Sequence, residues 1–193
     1  SSLHEQFYSE AVSAITGWIS GFWKNRVTLM KLGRNYARNL IRNCAALCKS
    51  NNLQFNSIRR PVFVLGAGPS AEDALGFLQS NRQDVFLLAV DTAYPMLAEA
   101  SLRPDAIVIL ESQIWIERSF IGARGTKIPV IADMTARQGA FAPVRGTASF
   151  FFTEYADSAF TRRFKAASFA PPDLPAMGSV GLAALLLARK LAM

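Results

Sequence analysis

The 193 residues carry a net charge of +7, and 51% of them are apolar with only 18% charged, a balance that excludes a disordered chain and leaves room for one sizeable core. No apolar run approaches the roughly 20 residues that cross a bilayer, and no signal-peptide pattern opens the chain. The sequence starts without Met and stops inside a helical pattern, so we expect a piece of a longer protein that continues past residue 193.

The positive charge is concentrated at the N-terminal end. Residues 11–71 hold nine basic side chains and no acidic one, whereas residues 72–193 hold twelve of each sign. Lys24, Lys31, Arg34, Arg38 and Arg42 recur at steps of seven, three, four and four, which places them along one side of a helix. Val27, Met30, Ala37, Ile41, Cys44 and Cys48 form an apolar stripe on another side, expected to be the packing face. The basic side reads as a solvated face or as a surface for an anionic partner. No nucleic-acid motif accompanies it, so nucleic acid is not an expected partner. Trp18, Phe22 and Trp23 are read as an anchor for this helix or as a packing surface for a neighbouring domain outside this sequence.

Cys44 and Cys48 lack the further ligands that zinc needs, and are read as buried or half-buried free thiols in a reducing compartment, the cytoplasm. The single histidine, His4, lies near the N-terminus, so chemistry elsewhere in the chain has to work without one. We take residues 1–57 as a helical lead-in and 58–193 as a nucleotide-binding domain.

From residue 60 the pattern changes to short apolar runs. Residues 61–66, 84–91, 104–111, 128–133 and 148–154 read as five strands without polar alternation. Helical composition fills 70–80, 92–101, 113–120, 155–167 and 179–193. Continuous apolar strands alternating with helices predict an α/β fold with a mainly parallel sheet covered on both faces. Residues 135–146, with Gly139, Pro143 and Gly146, read as a loop near the ligand edge.

The first strand runs into Gly66-Ala67-Gly68-Pro69-Ser70, and a helix follows at once. In an open parallel sheet, ligands bind beyond the carboxyl ends of the strands, where this loop lies. Gly66 is expected to permit a tight turn, Gly68 a close approach of the backbone to a ligand, and Pro69 a first helical turn. Ser70 offers a hydroxyl beside N–H groups suited to phosphate. Strands two to five end in Asp91, Glu111, Asp133 and Glu154, four carboxylates expected on that same edge. Each fits a helix cap, and as a cluster they fit a hydrated metal ion, ribose hydroxyls or a general base. Asp105, at the start of strand three, is read as structural. The spacing Gly66-x-Gly68-x-x-Ala71, with Asp91 ending strand two, also fits a redox-dinucleotide fingerprint for NAD or FAD.

Three blocks, VFVLGAGPSAEDALGFL, FLLAVDTAYPMLAEASLRPDAIVILE and GSVGLAALLLARKL, together resemble the Rossmann-like 6-hydroxymethylpterin diphosphokinase MptE-like family, which includes the core of bacterial motility-associated factors (Maf proteins). The resemblance covers about residues 59–193 and implies a Rossmann-like three-layer α/β/α domain. Two activities follow from it. One is transfer of a nonulosonic acid from a CMP-activated donor to a protein such as flagellin. The other is transfer of diphosphate from ATP to a hydroxymethyl pterin, with magnesium. Position by position, it assigns the nucleotide to Gly66, Gly68, Pro69, Ser70, Asp91, Thr92, Gly178 and Ser179, with Val180 completing the last block. Asp91 and Glu111 become the catalytic candidates, and Asp91, Glu111 and Asp133 the candidate metal ligands. Glu111 stands where the family carries Asp, and the family's Gly-x-Asp block falls beyond residue 193. Arg137 and Arg145 are the candidate cations for a leaving phosphate. The basic, aromatic lead-in favours the glycosyltransferase-type reading. A nucleotide-binding module without catalysis is the remaining alternative.

Overall fold

The computed structural model describes residues 2–192, except the side chains of residues 2, 3, 22, 24 and 25, so the expectations for Phe22 and Lys24 lie outside the described residues. The chain forms two compact units, Ser1–Arg34 and Asn35–Met193. The division, after residue 34, falls within the segment read from sequence as a lead-in. Helix α1 (Ser2–Leu47) contributes to both units.

In the first unit α1 keeps large apolar side chains exposed, including Phe7, Tyr8, Val12, Ile15, Trp18 and Met30. The expected anchor is not buried: Trp18 is 74% and Trp23 59% exposed. The expected packing stripe is the packing face only in part: Cys44 packs on the core and Ala37 is half-buried. Val27, Met30 and Ile41 are exposed, and in the second unit the buried side of α1 is Asn39, Leu40 and Asn43. Cys44 is half-buried and Cys48 is exposed, and both are free thiols.

The second unit is a six-stranded parallel sheet in sequential order. Its strands are β1 (Val62–Leu65), β2 (Phe86–Val90), β3 (Ala106–Ile109), β4 (Val130–Asp133), β5 (Ala148–Thr153) and β6 (Asp173–Leu174). The sixth, two residues long, is too short to leave a periodicity in the sequence. Helices α2 (Asp73–Asn81), α3 (Tyr94–Glu99), α4 (Gln138–Phe141), α5 (Ala159–Lys165) and α6 (Val180–Leu191) complete the fold, with 3-10 turns at Pro69–Ala71, Asp91–Ala93, Ile114–Phe120 and Ala142–Val144. The result is the expected Rossmann-like α/β/α arrangement with an N-terminal helix.

Burial explains why the strands show no alternation. Every residue of β3 and β4 is buried, so both faces must be apolar. Val108, Ile131 and Phe151 pack with Ala184 and Leu187 of α6. Ile107, Ile109, Phe150 and Phe152 face the other way, onto Phe120, Phe141 and Phe164 from the crossover segments. Phe141 meets Phe150, and Phe164 meets Phe152, edge to face. Helix α6 packs on β1, β2 and β3. Its last turn accepts N–H bonds from the linker that leads into β1: Asn56 N to Lys190 O, and both Ser57 N and Ile58 N to Leu191 O. The helix therefore ends at the amino edge of the sheet and begins at the carboxyl edge.

Residues 135–146 are not a loop. Ala140, Phe141 and Val144 are buried because α4 and the following 3-10 turn cover the sheet. The segment crosses from one edge to the other: Gly125 N and Lys127 N, just before β4, bond to Pro143 O and Val144 O. A side chain at Gly146 would run into the Ile128 carbonyl, so glycine is required there. At the same amino edge Asp105 accepts from Leu87 N and Arg82 Nη2, each at 2.8 Å, in the structural role expected of it.

Candidate functional site

The glycine loop leaves β1 at its carboxyl end and turns directly into the 3-10 segment Pro69–Ala71 and then α2. Pro69 opens that turn as expected, and Ala71 N closes it on Gly68 O at 2.9 Å. The reason for the glycines differs from the expectation. Gly68 has φ −79° and ψ 166°, an extended conformation open to any residue. Gly66 is not among the residues with positive φ, and a Cβ on either glycine would meet nothing within 4 Å. Neither glycine is needed by the backbone. What they leave is space.

That space is a cleft of about 340 Å³ lined by Ala67, Gly68, Pro69, Glu72, Thr92, Ala93 and Met96. It joins the turn after β1 to the turn after β2, so Gly68, Pro69 and Thr92, far apart in sequence, share one wall. Ser70 is exposed on the 3-10 turn and does not line the cleft. The lining holds one carboxylate, Glu72, and no lysine or arginine.

Asp91 lies behind Thr92 and is 2% exposed. Its Oδ1 accepts from Thr92 N at 2.8 Å, while Oδ2 is buried without a partner. Burial pushes its carboxyl up to about 6, helped by the negative charge of Glu111 and opposed by the nearby backbone N–H groups of Thr92 and Leu110. Glu111, half-buried after β3, accepts from Gln113 N at 2.8 Å.

The other two strand-end acids are committed elsewhere. Asp133 is fully buried and its oxygens are filled: Oδ1 by Thr135 N (2.7 Å) and Thr135 Oγ1 (2.5 Å), Oδ2 by Thr153 N (2.9 Å). Burial raises its pKa against those bonds. It ties the end of β4 to the end of β5, with both oxygens bonded. Glu154 pairs with Lys165 at 3.0 Å, and Lys165 reaches Asp173 at 2.6 Å. Among the described residues no group of three His, Cys, Asp or Glu side chains converges as a metal site.

The C-terminal half of α1 supplies residues that sequence reading missed. Asn39 Nδ2 donates to Ser112 O (3.0 Å) and Thr135 O (2.9 Å), and Asn43 Nδ2 donates to Met134 O (3.0 Å) and Ala136 O (2.9 Å). All four carbonyls lie just past the carboxyl ends of β3 and β4. The signal was present as asparagine at a step of four inside a helix, a residue with no local reason to be there. One turn earlier, Tyr36 packs on Tyr155 with centroids 5.4 Å apart. Burial raises its phenol pKa, as do the charges of Glu111 and Asp133. Tyr36 thus faces the same carboxylate edge. Among the described residues the buried side-chain atoms without a partner are Asp91 Oδ2, Ser112 Oγ and Asn43 Oδ1, all on this edge.

Gly178 and Ser179 precede α6, where Ser179 caps the helix by accepting from Leu182 N at 3.3 Å. Because α6 runs from the carboxyl edge to the amino edge, this cap stands on the glycine-loop side of the sheet. It does not line the cleft. The candidate cations fare differently. Arg137 follows β4 at the carboxyl edge, but its Nε is bound to Glu117 at 2.7 Å. Arg145, in a left-handed turn next to Gly146, lies at the amino edge and cannot serve this site.

A family model described as 6-hydroxymethylpterin diphosphokinase MptE-like matches residues 34–193, a span that starts one residue before the second unit. The chain is 38% identical over 192 residues to an uncharacterized protein of Treponema pallidum (strain Nichols), a match that takes in 97% of this chain and 33% of that protein. A second uncharacterized protein of the same organism is 35% identical over 52 residues, 27% of this chain and 25% of that one. The chain thus spans about a third of the length of the first relative. Among solved structures, the MAf glycosyltransferase of Magnetospirillum magneticum AMB-1 superposes with a TM-score of 0.59 at 16% identity, over 73% of this chain and 23% of that one. At that identity the likeness is one of fold.

Proposed function

The chain belongs to the 6-hydroxymethylpterin diphosphokinase MptE-like family, and from that premise we propose that it is the nucleotide-binding part of a transferase. The observation that carries the reading is the cleft between Gly68 and Thr92, backed by the buried, half-satisfied carboxylate of Asp91. Two glycines that the backbone does not need stand at or beside an open wall, as expected where a ligand occupies the space their side chains would fill. In this reading Gly66, Gly68, Pro69 and Ser70 carry the phosphates, Thr92 and Asp91 hold the ribose or phosphate side, and Ser179 with Gly178 closes the site from α6. Asp91 and Glu111 are the acid–base candidates, since burial brings Asp91 close to neutral pH, where a general base works best.

An anionic ligand here meets Glu72 in the lining, with Asp91 buried next to Thr92, and no lining cation among the described residues. The donor set fits a hydrated magnesium ion held by one or two carboxylates and completed by ligand phosphates; Asp91 and Glu111 are the residues that would hold it. Such an ion supplies charge neutralisation for the phosphates. Asp133, with both oxygens filled, is not one of its ligands.

The similarity in fold to the MAf glycosyltransferase supports a nucleotide-sugar donor, in the first instance a CMP-activated nonulosonic acid transferred to a protein such as flagellin. ATP-dependent pyrophosphorylation of a hydroxymethyl pterin ranks second. Binding of NAD or FAD ranks below both, because β1 is the edge strand, with no second half-site beyond it among the described residues. We place the protein in the cytoplasm, where nucleotide donors reside and the thiols of Cys44 and Cys48 stay reduced. The test is a thermal-shift screen of CMP, CDP, ATP, NAD and FAD, each with magnesium and with EDTA. The expected result is a raised midpoint with cytidine nucleotides, lost in EDTA. No shift with any nucleotide in magnesium would sink the reading.

A further inference from the structure

Helix α1 in the first unit exposes a continuous apolar line. Tyr8, Val12, Ile15, Ile19, Val27 and Met30 are between 45% and 86% exposed. They recur at steps of three, four and eight, the spacing of a single helix side. A helix of this kind draws most of its stability from covering such a stripe, not from helix propensity. The same line carries charge at its ends: Glu5 sits three residues before Tyr8, and Arg34 four residues after Met30. The two acids of the unit, Glu5 and Glu10, lie in its first third, and the four Lys and Arg residues lie between 24 and 34.

We propose that residues 5–34 form a self-association helix that pairs antiparallel with a second copy of this chain. Charge decides the occupant and the direction. Pairing about a two-fold axis at Ile19 sets Ile19 against its own copy and Tyr8 against Met30, and brings Val12 within one residue of Val27. The same register brings Glu5 of one copy within one residue of Arg34 of the other, at both ends. A parallel pair would stack Glu5 on Glu5 and Arg34 on Arg34, which is unfavourable. The paired stretch is about 45 Å long at 1.5 Å per residue, enough for a stable helix pair.

Sedimentation equilibrium of the full chain tests this. The expected mass is twice the 21.1 kDa of one chain. Ile15→Asp with Ile19→Asp gives the single-chain mass while the second unit stays folded by circular dichroism. Glu5→Arg and Arg34→Glu each weaken the dimer about tenfold, and the two together in one chain restore it. In a Cys44→Ser, Cys48→Ser background, Ile19→Cys oxidises to a linked dimer, whereas Tyr8→Cys links only to a chain carrying Met30→Cys. A single-chain mass at all concentrations overturns the proposal, as does failure of the double charge reversal to restore pairing. So does a Tyr8→Cys chain that links to itself as readily as Ile19→Cys. A monomer that instead sediments with anionic phospholipid vesicles also overturns it, and makes the stripe a membrane-facing surface.

Discussion

Replacing Asp91 by Asn tests the electrostatics of the site without a ligand. Burial lifts the carboxyl from 3.8 to about 6, so the folded state prefers it neutral. An acid shifted in this direction costs stability: nothing below the unfolded value, the full amount above the folded one. The full cost is about 3 kcal/mol at 1.36 kcal/mol per unit, and about 2 kcal/mol of it develops between about pH 4.5 and about pH 7.5. The amide keeps an acceptor for Thr92 N, and any penalty for its NH₂ group in place of the orphaned Oδ2 does not vary with pH. The quantity to measure is therefore the difference in unfolding free energy between Asp91→Asn and the unaltered chain, from urea denaturation followed by far-UV circular dichroism across that pH range. It should rise toward higher pH in favour of the variant by about 2 kcal/mol. A difference flat within about 0.5 kcal/mol, or one falling with pH, refutes the account of Asp91 as a strained, buried charge. A charge that the fold carries at a cost, beside an open cleft, is the pattern expected of a functional group.

Three further outcomes follow from the geometry. Gly68→Val places its side chain into the cleft without backbone strain, so unfolding free energy should change by under about 1 kcal/mol while any nucleotide-induced thermal shift disappears. Asn43→Ala leaves the Met134 and Ala136 carbonyls buried and unpaired, and should cost about 2–4 kcal/mol in urea denaturation; Arg42→Ala, one residue away and exposed, should cost under about 0.5 kcal/mol. Gly146→Ala forces a Cβ into the Ile128 carbonyl and should destabilise by about 3 kcal/mol or more, visible as a lowered thermal midpoint.

Much of the sheet was legible because its physics is local to each strand. Phe86–Val90, Ala106–Ile109 and Val130–Asp133 are buried on both faces, and such strands must be written as unbroken apolar runs. The glycine loop was legible for a similar reason, since a strand, a Gly-x-Gly-Pro turn and a helix follow each other within a few residues. The packing face of α1 was misread because it sets Leu40 between two asparagines. The residues Val27, Met30 and Ile41 of the expected stripe obey the usual rule and stay exposed, whereas the helix docks through Leu40 together with Asn39 and Asn43, whose partners are backbone carbonyls more than 70 positions away. Periodicity registers apolar burial and is silent on amide side chains that satisfy carbonyls at the ends of distant strands.

The four strand-end acids show where sequence stops. Their types and positions put all of them on one edge, and the chain order alone established that. What separates them is the environment each meets after folding. Asp133 closes β4 onto β5 and is saturated with donors, Glu154 is neutralised by Lys165, and Asp91 is buried with one oxygen empty beside the cleft. Arg137 and Arg145 were equivalent as letters, yet α4 carries the chain across the sheet between them and sets them on opposite edges. The sequence by itself determined the α/β alternation, the loop and the edge on which a site would form, because these depend on the order of apolar runs and turns. Only the tertiary structure decided which carboxylate is free, because partners and desolvation come from residues brought together by the fold.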